Sequence, residues 1–167
     1  RKGHQYLLQA VADIRDRYPQ LRLIIFGEGY LNNQLRAQAS SLGLGSVVQF
    51  AGFRDDLDTY ISCFDLLAHP AQAEGLGVAA LKAAAAGLPV VGFAAGGIVE
   101  AVADGRTGLL VEPEDTDALG SAIARLIDDP DLAAKLGAAG RERMQNEFSI
   151  ATMADRHVAL YESVLNG

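Results

Sequence analysis

The chain predicts an α/β fold, a parallel sheet with helices on both faces, followed by helices alone at the C-terminal end. Three observations carry this. Short apolar runs alternate with segments of helical spacing, joined by short connections. The runs are apolar throughout, as strands buried on both faces require. Glycine-bearing turns at 27–29, 52–54 and 75–77 each follow a strand, and should together line the carboxyl edge of the sheet, where such folds bind ligands.

The elements follow in order. Tyr6, Leu7, Ala10, Val11 and Ile14 recur at helical spacing, and Tyr18-Pro19 closes the first helix. Leu21 to Phe26 reads as a strand ended by Gly27-Glu28-Gly29. Leu31 to Leu42 is helical, with Gly43 as its stop. Val47 to Phe50 is a strand leading to Gly52-Phe53-Arg54. Leu57 to Cys63 reads as a short helix and Asp65 to Ala68 as a strand. Leu76 to Ala86 is an alanine-rich helix, with Gly87 and Pro89 at the offsets of a C-terminal stop. Leu88 to Phe93 is a strand, and Gly96-Gly97 opens a helical turn through Val102. Leu109 to Val111 is the last strand. Asp117 to Ile127, Asp131 to Glu147 and Ile150 to Leu165 are helical.

The 167 residues fit one domain, 1–167, with a substantial core. A net charge of −7 argues against a nucleic-acid or anionic-membrane partner held by general electrostatics. No apolar run reaches the roughly 18 residues of a membrane span. The one cysteine, Cys63, excludes an internal disulfide and fits a reducing cytoplasm. Its neighbours Ile61, Phe64 and Leu66 predict a buried, inert thiol. The opening Arg1-Lys2-Gly3 lacks an initiator methionine and reads as the start of a piece cut from a longer protein. His4, His69 and His157 show no metal-ligand spacing. Asp115-Thr116-Asp117 stands before a helix, where aspartate and threonine cap, so no metal is expected there.

The run from His69 to Val91 is the most informative. Gly75 and Gly77 let backbone approach a ligand closely. The helix that follows aims its free N–H groups and positive dipole end at the same loop, which suits phosphate. Glu74 adds an acceptor suited to sugar hydroxyls, so the loop reads as a nucleotide-sugar site. His69 stands close enough to line its entrance.

Seven short motifs occur in a fixed order: Arg1-Lys2-Gly3; Phe26-Gly27-Glu28-Gly29; Val48 to Phe53; Pro70 with Glu74-Gly75-Leu76-Gly77; Ala86 to Val91; Gly96-Gly97 with Glu100; and Gly105 with Thr107 to Val111. Together they resemble the C-terminal, donor-binding domain of a GT-B glycosyltransferase of family 4, a large retaining family. The resemblance covers essentially the whole chain. It implies a Rossmann-like domain and, elsewhere in the parent chain, an N-terminal Rossmann-like domain that binds the acceptor. It also implies a UDP-sugar or GDP-sugar donor, hexosyl transfer in the parent, an inactive isolated fragment, and no cofactor or divalent metal. Any peripheral attachment at the inner membrane would belong to the absent domain.

The resemblance also implies roles. Lys2 looks like the cation that meets the donor diphosphate, with Arg1 assisting. The Gly75-Leu76-Gly77 amides are similar to those that contact phosphate and sugar, and Glu74 looks like the acid that accepts from sugar hydroxyls. Phe53 and Arg54 match the stretch flanking the nucleobase. Gly27 and Glu28 are candidate donor contacts, although the glycines alone explain that turn. Arg54 could instead pair with Asp55, Asp56 or Asp58. Gly96-Gly97 is either a second helix start toward the crevice or a tight strand-to-helix turn.

One position departs from the family pattern. A second glutamate, which there holds the ribose, is replaced here by Lys82. Lysine donates only and cannot accept two hydroxyl hydrogens. Lys82 therefore faces the site in another role or is simply solvated, and a catalytically degenerate nucleotide-binding module is the alternative to an active domain. The face carrying Leu76, Ala79, Ala80 and Ala83 is expected to pack inward. The absence of a strand running into a G-x-G-x-x-G helix start argues against a dehydrogenase.

Overall fold

The computed structural model describes residues 2–166. Leu23–Phe26 (β1) and Val48–Gly52 (β2) pair in parallel, Ile24 opposite Gln49 and Ile25 opposite Phe50. Leu67–His69 (β3), Val90–Phe93 (β4) and Gly108–Val111 (β5) form a second parallel set in that order. The sequence predicts one sheet; among the described residues no backbone ladder joins β1 to β3. Side chains bridge the two sets instead. Leu7, Leu8 and Val11 of the first helix (α1, His4–Ile14) share one core with Ile25 of β1 and with Val91 and Phe93 of β4.

β4 is buried along its whole length and separates two cores. Val91 and Phe93 point to the face covered by α1 and by α5 (Thr116–Asp128), which adds Leu119 and Ile123. Val90 points the other way, to a smaller cluster with Ala80 and Ala83 of α3 (Val78–Ala86) and Ile98 and Ala101 of α4 (Ile98–Ala101). This alternation places helices on both faces, as expected for a doubly covered strand. The second helix, α2 (Asn32–Ser41), connects β1 to β2 and contributes Leu35 and Ala39 to the larger core.

The late helices begin where their caps sit. Asp115 accepts from the Ala118 N–H at 2.8 Å and starts α5, the capping role read from the sequence. Asp129 accepts from Leu132 N–H at 2.9 Å and, with Pro130 in the first turn, starts α6 (Pro130–Glu147). Ser149 starts α7 (Ile150–Leu165) in the same way. No residue of α7 is buried, and Ile150, Tyr161, Val164 and Leu165 are exposed apolar groups. No helix among the described residues is long and apolar enough to cross a membrane.

Local corrections follow from backbone conformation. The helix expected over 57–63 is two 3-10 turns, Leu57–Thr59 and Ile61–Cys63, interrupted at Tyr60 with φ −132°. Phe64 packs edge-on against both Phe26 and Tyr60, Tyr60 lies tilted against Phe26, and the three rings form a half-buried aromatic cluster. Cys63 is left exposed, not buried. The alanine helix starts at Val78 rather than Leu76, because Gly77 adopts a left-handed φ of 73°. Its inward face is Ala80, Ala83 and Ala84, while Leu76 and Ala79 turn outward.

Candidate functional site

The site forms where β3 ends. His69 is the last residue of that strand, and the chain then loops through Pro70 to Gly77 before α3 begins. Gly77 supplies no side chain to cap α3. The first-turn N–H groups of that helix therefore lack the usual side-chain acceptor at the mouth of the loop. The neighbouring Gly75, Leu76 and Val78 are exposed.

Glu74 lies in this loop with its side chain only 12% exposed. Its Oε2 accepts from Lys2 Nζ at 2.5 Å and lies 3.2 Å from His69 Nε2. A carboxylate only accepts, so the hydrogen of His69 sits on Nε2 and its Nδ1 is the acceptor face. The Lys2 hydrogen bond holds Glu74 below the ordinary carboxylate range, against the opposing effect of its partial burial. Burial pushes the His69 imidazole down from its ordinary value, and Glu74 works against that. His4, on the first turn of α1, is lowered by burial and then by the proximity of His69.

Both imidazoles are thus easier to protonate in the unfolded chain than in the fold. Their contribution to stability is complete above about pH 6.5, the unfolded imidazole value. It is lost as pH falls below that, down through the depressed folded values. Glu74 stays ionised across this window and adds no slope of its own there. Thermal unfolding should therefore shift to lower temperature as pH goes from 7.5 to 5.5. Replacing His4 and His69 together by glutamine should flatten that slope.

Two backbone contacts fix the loop. Gly3 packs so closely on the end of β3 that a Cβ there would overlap the Pro70 carbonyl. This seats Lys2 beside Glu74, although the two are 72 positions apart. On the opposite side Gly97 donates its N–H to the Glu74 carbonyl at 2.9 Å, and a Cβ on Gly97 would overlap the Gly75 carbonyl. The Gly96-Gly97 pair is thus a backbone buttress for residues 74–75. Gln72 adds a side-chain clip, donating to Tyr6 Oη at 3.1 Å and to Glu114.

The other predicted residues make no described hydrogen bond to Lys2, Glu74 or His69. Gly27 closes β1, its N–H on the Gly52 carbonyl at 2.8 Å, and the Glu28 carboxylate lies over Gly52. Phe53 is 71% exposed. Arg54 is held by Asp56 through two hydrogen bonds, 2.8 and 2.7 Å, and lies 5.9 Å over the Tyr60 ring. The local-pairing reading of Arg54 is the one the geometry displays. Lys82 Nζ bonds both Asp58 oxygens at 2.9 Å and ties the 57–59 turn to α3. Both partners are well exposed, so the pair adds about 0–1 kcal/mol at most. Arg1 lies outside the described residues.

The structure brings Lys2, Glu74 and the 75–77 turn together and adds His69, which the sequence placed only at the entrance. Its signal was its position, five residues before Glu74 at a strand end. A carboxylate gripped by a lysine and a histidine, beside uncapped helix amides and exposed glycine backbone, can bind an anion and a polyhydroxylated group side by side.

Residues 1–143 match the family described as glycosyl transferases group 1. The GDP-mannose-dependent α-(1-6)-phosphatidylinositol monomannoside mannosyltransferase of Mycolicibacterium smegmatis is 38% identical over 150 residues, covering 84% of this chain and 39% of that protein. Among solved structures, sucrose-phosphate synthase from Thermosynechococcus elongatus superposes with a TM-score of 0.86 at 33% identity, covering 99% of this chain and 43% of that one. HepE of Anabaena in complex with UDP-glucose gives a TM-score of 0.87 at 28% identity, covering 97% and 45%. The chain spans about two fifths of the length of these relatives. Nothing in them supports the degenerate alternative raised by Lys82. The match takes in the 74–77 loop, its glycine buttress and all five strands. The chain belongs to the glycosyl transferases group 1, and its parallel α/β architecture is that of a GT-B, Rossmann-like domain.

Proposed function

We propose that this domain binds a nucleoside-diphosphate sugar and presents it for retaining, metal-independent hexosyl transfer. The acceptor would be held by another part of the parent protein. The observation that carries the proposal is the Lys2–Glu74 pair at the uncapped mouth of α3. Without donor, the two charges satisfy each other. When the donor enters, Lys2 turns to the diphosphate and Glu74 to the sugar hydroxyls. The helix amides and Lys2 then oppose the charge that grows on the diphosphate as the anomeric bond breaks. Those groups supply positive charge where a metal would otherwise be needed. The GDP-mannose dependence stated for the mycobacterial relative and the UDP-glucose complex of HepE support a donor of this class.

Calorimetry of the protein with UDP, GDP and ADP, each with Mg²⁺ and with EDTA, tests the reading. One diphosphate should bind in preference, equally well in both conditions. Lys2→Ala should weaken it by roughly tenfold to a hundredfold, the loss of one hydrogen bond between charged groups, about 1.5–3 kcal/mol. A strict metal requirement, or unchanged affinity in Lys2→Ala, overturns it.

A further inference from the structure

The Glu74 carboxylate has two partners of unlike character. Lys2 is half exposed, on the segment leading into α1, and its ammonium ends a flexible stem. His69 is 9% exposed and is the last residue of β3, paired in register with Gly92 of the fully buried β4. A Cβ on Gly92 would come within 2.6 Å of the His69 carbonyl, so this part of the strand pair has no room to shift. Both partners use the same oxygen, Oε2, and no described residue donates to Oε1. From this geometry we infer that His69 is a positioning residue that holds Glu74 in place once Lys2 has left it for the diphosphate. The inference rests on the function proposed above, and extends it to a residue that touches neither phosphate nor sugar.

In the empty site Lys2 screens the carboxylate. Donor binding draws the ammonium away, and a loop glutamate left alone would recover its rotamer freedom. The imidazole Nε2–H keeps Oε2 fixed and leaves Oε1 for a sugar hydroxyl. The groups facing this imidazole are Glu74 from the loop, Lys2 from the N-terminal segment and His4 from α1. Protonation adds a hydrogen at Nδ1 and leaves the Nε2–H donor intact, so the anchor works on both sides of the imidazole titration.

The test compares two amides of different reach. Glutamine can set its Nε2 hydrogen close to where the imidazole Nε2–H stands, whereas asparagine is too short to touch Glu74. Calorimetry on the protein would give the ratio of affinities for the nucleotide sugar and its bare diphosphate, using UDP-glucose with UDP and GDP-mannose with GDP. His69→Asn should lower that ratio by about tenfold, the share of one hydrogen bond to a charged group. His69→Gln should keep it within about threefold, and both variants should bind the bare diphosphate as the wild type does. The inference is overturned if the two amides lower the ratio equally while melting as the wild type does, or if neither changes it. It also falls if the bare diphosphate weakens in step with the sugar nucleotide. Failure of the wild type to bind any diphosphate would overturn the function itself, a result distinct from these.

Discussion

Glu74→Ala should separate sugar recognition from phosphate recognition. In the parent protein, the transfer proposed above, measured as kcat/KM, is expected to fall on the order of 10²–10⁴-fold, because two hydrogen bonds to a charged acceptor are lost at about 1.5–3 kcal/mol each. The affinity for the bare nucleoside diphosphate should hold or rise. Lys2 spends the unliganded state on Glu74 Oε2 at 2.5 Å, and that competition ends when the carboxylate is removed. Opposite signs for the two ligands are the distinctive outcome. A structural prop at position 74 would weaken both ligands together, and parallel losses would remove Glu74 from the sugar site. Steady-state kinetics with the donor varied, alongside calorimetry with UDP and GDP, reads both quantities. Glu74→Gln should fall between, since its amide keeps one acceptor oxygen but offers Lys2 no charge.

The loop was legible from local rules. Two glycines two residues apart, a carboxylate just before them and an alanine run just after specify a turn, an acceptor and a helix mouth without reference to the rest of the chain. The Asp115 cap is local in the same sense, and so is the helix stop, where Gly87 N–H reaches Ala84 O and Leu88 N–H reaches Ala83 O. What escaped the sequence depends on contacts between distant segments. Nothing within a short window announces that Lys2 meets Glu74, that Lys82 meets Asp58, or that Gly97 presses on Gly75. The resemblance gave Lys2 and Glu74 separate roles on a ligand, and their pairing with each other emerged only from the fold. Cys63 failed for a related reason. Apolar neighbours along the chain do not fix which way a side chain faces: Phe26, Tyr60 and Phe64 pack on one another, and the Cys63 thiol faces solvent. The parallel strands covered by helices on both faces are as expected, but their division into two ladders, β1–β2 and β3–β4–β5, is not legible, because strand count and spacing do not report which edges meet.

Gly97→Ala tests whether the site depends on its buttress. The position does not require a left-handed backbone; Gly97 has φ −69°, which alanine adopts freely. The constraint is space alone, since the added methyl would fall on the Gly75 carbonyl, and backbone cannot yield as a flexible side chain does. Overpacking of this kind costs about 1–3 kcal/mol and occasionally more. For a domain of this size that corresponds to a fall in Tm of roughly 2–12 °C. The larger effect should be on binding. To accommodate the methyl, residues 74–75 must move away from Gly97, breaking the Gly97 N–H bond to the Glu74 carbonyl and carrying the carboxylate off His69 and Lys2. Diphosphate affinity should then drop by more than the tenfold to hundredfold expected of Lys2→Ala, because the cation, the acid and the helix mouth lose their register together. Gly45→Ala is the matching control, since a Cβ there meets nothing within 4 Å. It should bind as the wild type does. If Gly97→Ala keeps both its melting temperature and its ligand affinity, the contact between the two loops is not what sets the geometry of Glu74.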